Sequence, residues 1–242
     1  MSVLNIAMFG SDELAKEIAK ATDQRDVHTY VHKEADADGP RILSIIRPAK
    51  FPERLRPFLN ALSAAVVGMV EITKIDATLG EVVVAFASAG IDKGLVIINP
   101  PQGEWVDEDQ VKMIFKQAGL GNWSFEGNDG IDLRAKLYDL MDQVSADLKA
   151  IQQAPLVLPV DQHFNVKGIG LVAIGYVQSG TVNVHDDLVL LPANGTGNAK
   201  SLQVMDDDVP AAVAGDRVGL ALRNAKEDHL GSGTILVRPA IE

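Results

Sequence analysis

The chain has 242 residues and no cysteine, with 47% hydrophobic and 23% charged residues. That suits one large or two modest globular domains and excludes disulfides, a disulfide-linked partner and cysteine metal sites. The net charge is -11, with 23 acidic against 16 basic residues over 1–154 and 10 against 6 over 155–242, so neither half has the basic excess of a broad nucleic-acid surface, although a local patch stays open. No apolar run reaches the length of a membrane span, and MSVLNIAMFG lacks the basic region and cleavage site of a signal peptide. A cytoplasmic protein without a membrane partner is expected.

In chain order, residues 3–9 form an apolar run of strand length ended by Gly10, and residues 12–22 read as a helix capped by Ser11 or Asp12. Strands follow at 27–32 and 41–48, separated by the acidic turn EADADGP. A helix is expected over 52–60, a buried strand over 64–72, a helix over 78–90, a third buried strand over 94–99, a helix over 107–118 and a last one over 132–151, where Leu133, Leu137, Leu140, Val144 and Leu148 recur at helical spacing. Alternating apolar strands and helices predict a parallel, doubly wound α/β sheet. Pro155 and Pro159 break the last helix and open a different kind of segment. Domains are therefore expected at 1–152 and 153–242.

The second segment is a run of short strands. Leu171, Ala173, Gly175 and Val177 alternate with Val172, Ile174, Tyr176 and Gln178, and Gly168, Gly170, Gly175 and Gly180 stand where a strand turns or admits a close neighbour. The pattern predicts a small antiparallel β-barrel. The residues themselves go further. KGIGLVAIGYVQSGTVNVHDDLVLLP and Ala214-Gly215-Asp216-Arg217-Val218-Gly219-Leu220 resemble the second domain of the EF-Tu class of translation GTPases, in its SelB-like form, over about 80 residues. Gly168, Gly170, Gly175, Gly180, Val182, Val184 and Asp186 fit the family pattern, while His185 stands where the family has glycine. The resemblance extends to archaeal paralogues, among them one linked with pyrrolysine decoding.

The resemblance implies that the first domain is P-loop-GTPase-like; the family's third domain, a second barrel, is absent from these 242 residues, and either a shortened sequence or a reduced protein is expected. It also invites a check of the nucleotide motifs. A phosphate loop needs G-x-x-x-x-G-K-[ST], whose glycines let backbone N–H groups wrap phosphates while the lysine and hydroxyl serve phosphate and Mg²⁺. Here the letters run from Gly10 to Glu17: Gly10 and Lys16 survive, Ala15 replaces the second glycine, Glu17 replaces the hydroxyl, and Asp12 and Glu13 add negative charge. The family's Asp-x-x-Gly-His reads Ile46-Arg47-Pro48-Ala49-Lys50. Its Asn-Lys-x-Asp reads Asn99-Pro100-Pro101-Gln102, its Ser-Ala-Lys is at best Ser124, and its first switch loop is missing or reduced to residues 34–40. Phosphoryl transfer depends on positioned charge and metal. The expectation is a degenerate nucleotide site of Gly10, Lys16 and Asn99, no catalytic or metal residues, and no cofactor beyond weakly held GTP.

In the family the cleft between the first two domains receives the aminoacylated end of tRNA. Carried over by position, the candidates here are Lys167, Gly168, Arg217 and Arg223, with aminoacyl-tRNA and the ribosome as partners. The alternative is a non-enzymatic scaffold for the ribosome or a protein partner. Other constellations read as bland: His28 and His32 as edge histidines without a further ligand, Asp206 to Asp208 as a solvated turn, and Trp105 and Trp123 as packing residues.

Overall fold

The structure, a computed structural model, describes residues 2–24, 27–37, 39–204, 207–231 and 233–239. The chain divides into two compact units, residues 1–144 and 145–242.

In the first unit β1 (Ser2–Phe9) leads into α1 (Asp12–Ile18), then β2 (Lys20–Gln24), β3 (Val27–Glu34), β4 (Arg41–Pro48), α2 (Leu55–Ala64), β5 (Val67–Ile72), α3 (Ala77–Ser88), β6 (Gly94–Ile98), α4 (Glu108–Gln117), β7 (Ser124–Glu126) and α5 (Gly130–Gln153). The sheet order is β2-β3-β4-β1-β5-β6-β7. The strands β4, β1, β5, β6 and β7 are parallel, whereas β3 runs antiparallel to β4 and β2 antiparallel to β3. The sheet is therefore mixed rather than parallel throughout. The helix expected over 12–22 stops at Ile18, because Lys20 and Ala21 pair with Val31 and Tyr30 in an edge hairpin. Ladder pairing outweighs the helix propensity of that segment.

Helix caps follow the sequence chemistry. Ser11 caps α1, its Oγ accepting from the Leu14 N–H at 3.1 Å, and Asp76 and Asp107 cap α3 and α4 the same way. The core holds Leu4, Ile6, Met8, Ile45, Ile46, Phe58, Phe86 and Phe115, all at most 1% exposed. Trp123 lies buried against Phe86 and Phe115 and donates to the Ile91 carbonyl at 3.2 Å. Trp105 departs from the packing expected of it. It is 80% exposed, because the loop through Pro100, Pro101 and Gly103 carries it outward while its neighbour Val106 turns in.

The second unit takes the end of α5, then β8 (Leu158–Val166), β9 (Gly170–Tyr176), β10 (Thr181–Asn183), β11 (Asp187–Leu191), β12 (Gly195–Val204), β13 (Asp207–Val209), β14 (Ala211–Val213), β15 (Arg217–Arg223), a 3-10 turn (Glu227–His229) and β16 (Ile235–Val237). The ring β11-β16-β8-β9-β15-β12 closes through a further β11–β12 pairing into a six-stranded antiparallel barrel. β13 pairs antiparallel with the end of β12, and β10 pairs with β14 apart from the ring. Leu171, Ala173 and Val177 point inward. A side chain at Gly175 would run into the Pro159 carbonyl, and one at Gly180, at φ +75°, would come within 2.6 Å of the Leu156 backbone. His185, where the family has glycine, takes φ +76°. Two turns of like design precede β11 and β15: Asp186 accepts from the Asn183 N–H and Asp216 from the Val213 N–H, both at 2.8 Å. Burial raises the Asp216 carboxyl above the ordinary carboxylate range, and the Val213 N–H opposes that shift.

Candidate functional site

Parallel strands β1, β5 and β6 end side by side, and an open α/β sheet receives ligands beyond its carboxyl ends, where the connections diverge. Gly10 follows β1, Asn99 follows β6, and between them stands Glu71 at the end of β5. Glu71 was not singled out by sequence. The residue is 5% exposed, and its two oxygens each have a donor. Oε2 accepts from the Ser11 N–H at 2.6 Å, and Oε1 from the Asn99 side-chain amide at 2.7 Å. The Asn99 Oδ1 in turn accepts from the Asn128 amide at 3.1 Å, in the turn before α5. Gly10 has no room for a side chain, because a Cβ would fall 2.9 Å from the Glu71 Cβ and 2.8 Å from the Met8 Cε. The signal for Glu71 was present in the sequence: it is the lone charge in VGMVEI, a strand buried at all six positions.

Gly10 and Asn99 thus meet, but through Glu71. Lys16 is engaged elsewhere. Its ammonium pairs with Asp12 one turn earlier on α1, and that bond raises its pKa. Asp12 also receives the Tyr30 hydroxyl, and His28 Nδ1 lies 3.7 Å from it. The Lys16 and Tyr30 bonds, opposed by partial burial, hold the Asp12 carboxyl down at about 2. Burial first, and then the Asp12 bond, push the Tyr30 hydroxyl up to about 12. Arg47, next to the buried Ile46, donates from Nε to the Gly10 carbonyl at 2.6 Å. Gln102 and Ser124 are exposed. His28 and His32 both have partners: His28 faces Arg47 at 3.5 Å, and His32 Nδ1 lies 2.9 Å from the Tyr138 hydroxyl. Of segment 34–40, Asp38 lies outside the described residues, as does Asp206 of the acidic run 206–208.

The barrel candidates divide between two ends. Lys167 and Gly168, the latter at φ +86°, form the exposed β8–β9 turn. Arg223 lies one residue past the Leu222–Leu171 pair, at the same end, and is exposed. Lys200, at the β12 bulge between Ala199 and Ser201, joins them by donating to the Ile169 carbonyl at 2.8 Å. Phe164 and Ile169 are exposed nearby on the same hairpin. Arg217 pairs with Tyr176 at the opposite end, its guanidinium 5.8 Å from that ring. Six residue steps along β15, about 20 Å, separate it from Arg223. Lys200 was missed by sequence because its place at this end follows from the pairing of β12 with β15, which no local pattern announces.

Comparison with known proteins fits this architecture. Residues 170–237 match the family described as elongation factor Tu domain 2. An uncharacterized protein of Methanocaldococcus jannaschii is 32% identical over 237 residues, which cover 98% of this chain and 72% of that one. The selenocysteine-specific elongation factor of the same organism is 40% identical over 114 residues. The chain carries an elongation factor Tu domain 2 and is homologous to the SelB-like, EF-Tu-class translation factors. Those 114 residues are 47% of this chain and 24% of the selenocysteine factor. The fold of this SelB-like chain matches a bacterial selenocysteine-specific elongation factor EF-Sec at a TM-score of 0.75 and 20% identity, over 99% of this chain and 45% of that one. It matches Methanococcus maripaludis SelB in complex with the GTP analogue GppNHp at 0.73 and 21%, over 98% of this chain and 56% of that one.

Proposed function

We propose that the protein is a translation-factor-like binder of aminoacyl-tRNA whose first unit is a P-loop-GTPase-like domain that holds nucleotide weakly or not at all and does not hydrolyse GTP. The observation that carries the nucleotide part is Glu71. A carboxylate already takes the Ser11 N–H, at the turn where a phosphate loop would offer its backbone, and Lys16 is paired with Asp12. A phosphate there would meet negative charge and lose a donor, and like charges at such range repel by about 1 kcal/mol or more. Glu17, Ile46, Lys50 and Gln102 stand at the positions of the family's metal, water and guanine groups. Titration calorimetry with GTP and ATP should give dissociation constants of about 0.1 mM or weaker with little preference for guanine. Phosphate release with ribosomes present should stay at background. Tight guanine-selective binding, or turnover like that of an active factor, would sink the reading.

The tRNA part is supported by the homology to these factors and by the cationic barrel end of Lys167, Lys200 and Arg223 beside exposed Phe164 and Ile169. A mobility shift with aminoacylated tRNA at about 50 mM salt, where phosphate contacts count most, tests it. Lys167→Ala and Arg223→Ala should weaken binding more than Arg217→Ala. The net charge of -11 favours the second reading, a scaffold for the ribosome or a protein partner, and absence of any shift would make that the better account.

A further inference from the structure

We propose that Glu71 is an internal ligand: a latch whose carboxylate does from within what a bound anion would do from outside, closing the carboxyl end of the first sheet with no ligand present. This rests on the reading above that the unit works without nucleotide, and it gives that reading a cause.

The bonding is directional. Ser11 N–H donates to one oxygen of Glu71, the Asn99 amide donates to the other, and the Asn128 amide donates to Asn99. One buried carboxylate thereby ties together the β1–α1 turn, the end of β5, the start of the loop after β6 and the turn before α5. A side chain that only filled space would need no such polarity. Burying a carboxylate is costly unless donors meet it, and here both oxygens are met. The chain of donors has one sense, since a backbone N–H cannot be reversed and Ser11 fixes the acceptor at its end.

That sense permits a polarity swap. Glu71→Gln keeps one oxygen to accept from Ser11 but turns an N–H₂ group toward Asn99, so the second bond survives only if the Asn99 and Asn128 amides both flip, and the charge assistance is lost in either case. Asn99→Asp places a second carboxylate where the donor stood, 2.7 Å from the first. The double variant restores every bond: the new amide oxygen accepts from Ser11, the new amide N–H₂ donates to the new carboxylate, and Asn128 still donates to position 99. The formal charge is unchanged from the wild type.

The experiment uses the full chain in four forms, followed by thermal unfolding and by hydrogen exchange at the Ser11 amide. Each single variant should lower the melting temperature by about 4 °C or more. The Ser11 amide should exchange about tenfold faster in Glu71→Gln, as expected for loss of one charge-assisted bond. The double variant should regain more than half of both losses. A double variant no better than the sum of the singles, or a Ser11 amide unmoved by Glu71→Gln, would overturn the latch. If Glu71→Gln cannot be recovered folded, a folded double variant supports the proposal and an unrecoverable one overturns it. Tight GTP binding by the wild type would defeat the weak-nucleotide reading whatever the swap gives. Absent GTP binding with a failed swap defeats the latch alone.

Discussion

Asp12 receives the Tyr30 hydroxyl and the Lys16 ammonium, and its carboxyl titrates at about 2, below its ordinary 3.8. A folded-state pKa below the unfolded one means that the unfolded chain binds the proton first. The group therefore adds stability above about pH 4 and loses it as the pH falls toward about 2. Urea midpoints measured across that window should fall less steeply in Asp12→Asn than in the wild type, and parallel slopes would show that Asp12 contributes nothing to acid sensitivity. The barrel glycines allow a second comparison of single residues. Gly168→Ala meets nothing within 4 Å and strains only a φ of +86°, whereas Gly175→Ala drives a methyl into the Pro159 carbonyl. Denaturant titration should find about 1–2 kcal/mol lost at Gly168 and about 3 kcal/mol or more at Gly175.

Among the elements, the buried strands were legible as apolar runs, α3 and α4 as the segments between them, and α5 from its period. β2 was not, because Lys20–Gln24 is polar and continues the helical spacing of α1; only its pairing with β3 makes it a strand. β7, three residues long, is set by its register on β6 rather than by a pattern of its own. Glu71 escaped because no motif names a glutamate there, and its meaning depends on which strand ends are neighbours. The barrel was legible from its first hairpin, where Gly175 and Gly180 answer to steric demands that fix the residue type, but the β12 bulge was not. The end of α5 belongs with that barrel: Gly180 donates its N–H to the Ile151 carbonyl at 2.8 Å, Thr181 Oγ1 donates to the Gln152 carbonyl at 3.3 Å, and Ile151 packs on the barrel core. A fragment starting at residue 145 should therefore fold and melt several degrees above one starting at 155. Equal melting temperatures would show that the helix end adds nothing to the barrel.

For the molecule as a whole, charge sets the scale of any encounter with RNA. The cationic barrel end offers Lys167, Lys200 and Arg223, on a chain of net charge -11. With only those cations releasing counterions, log affinity for aminoacylated tRNA should fall against log salt with a slope no steeper than about -3. A slope near -8 would mean that a much larger basic surface takes part. The two tryptophans, Trp105 and Trp123, both lie in the first unit, so the barrel is silent in indole emission. Trp105, 80% exposed, should emit near the wavelength of free indole in water and be quenched by iodide at once. Trp123, shut between Phe86 and Phe115, should emit to the blue and resist the quencher until the sheet opens. The unmodified chain thus carries its own optical probe of the α/β unit, with an internal standard for solvent beside it.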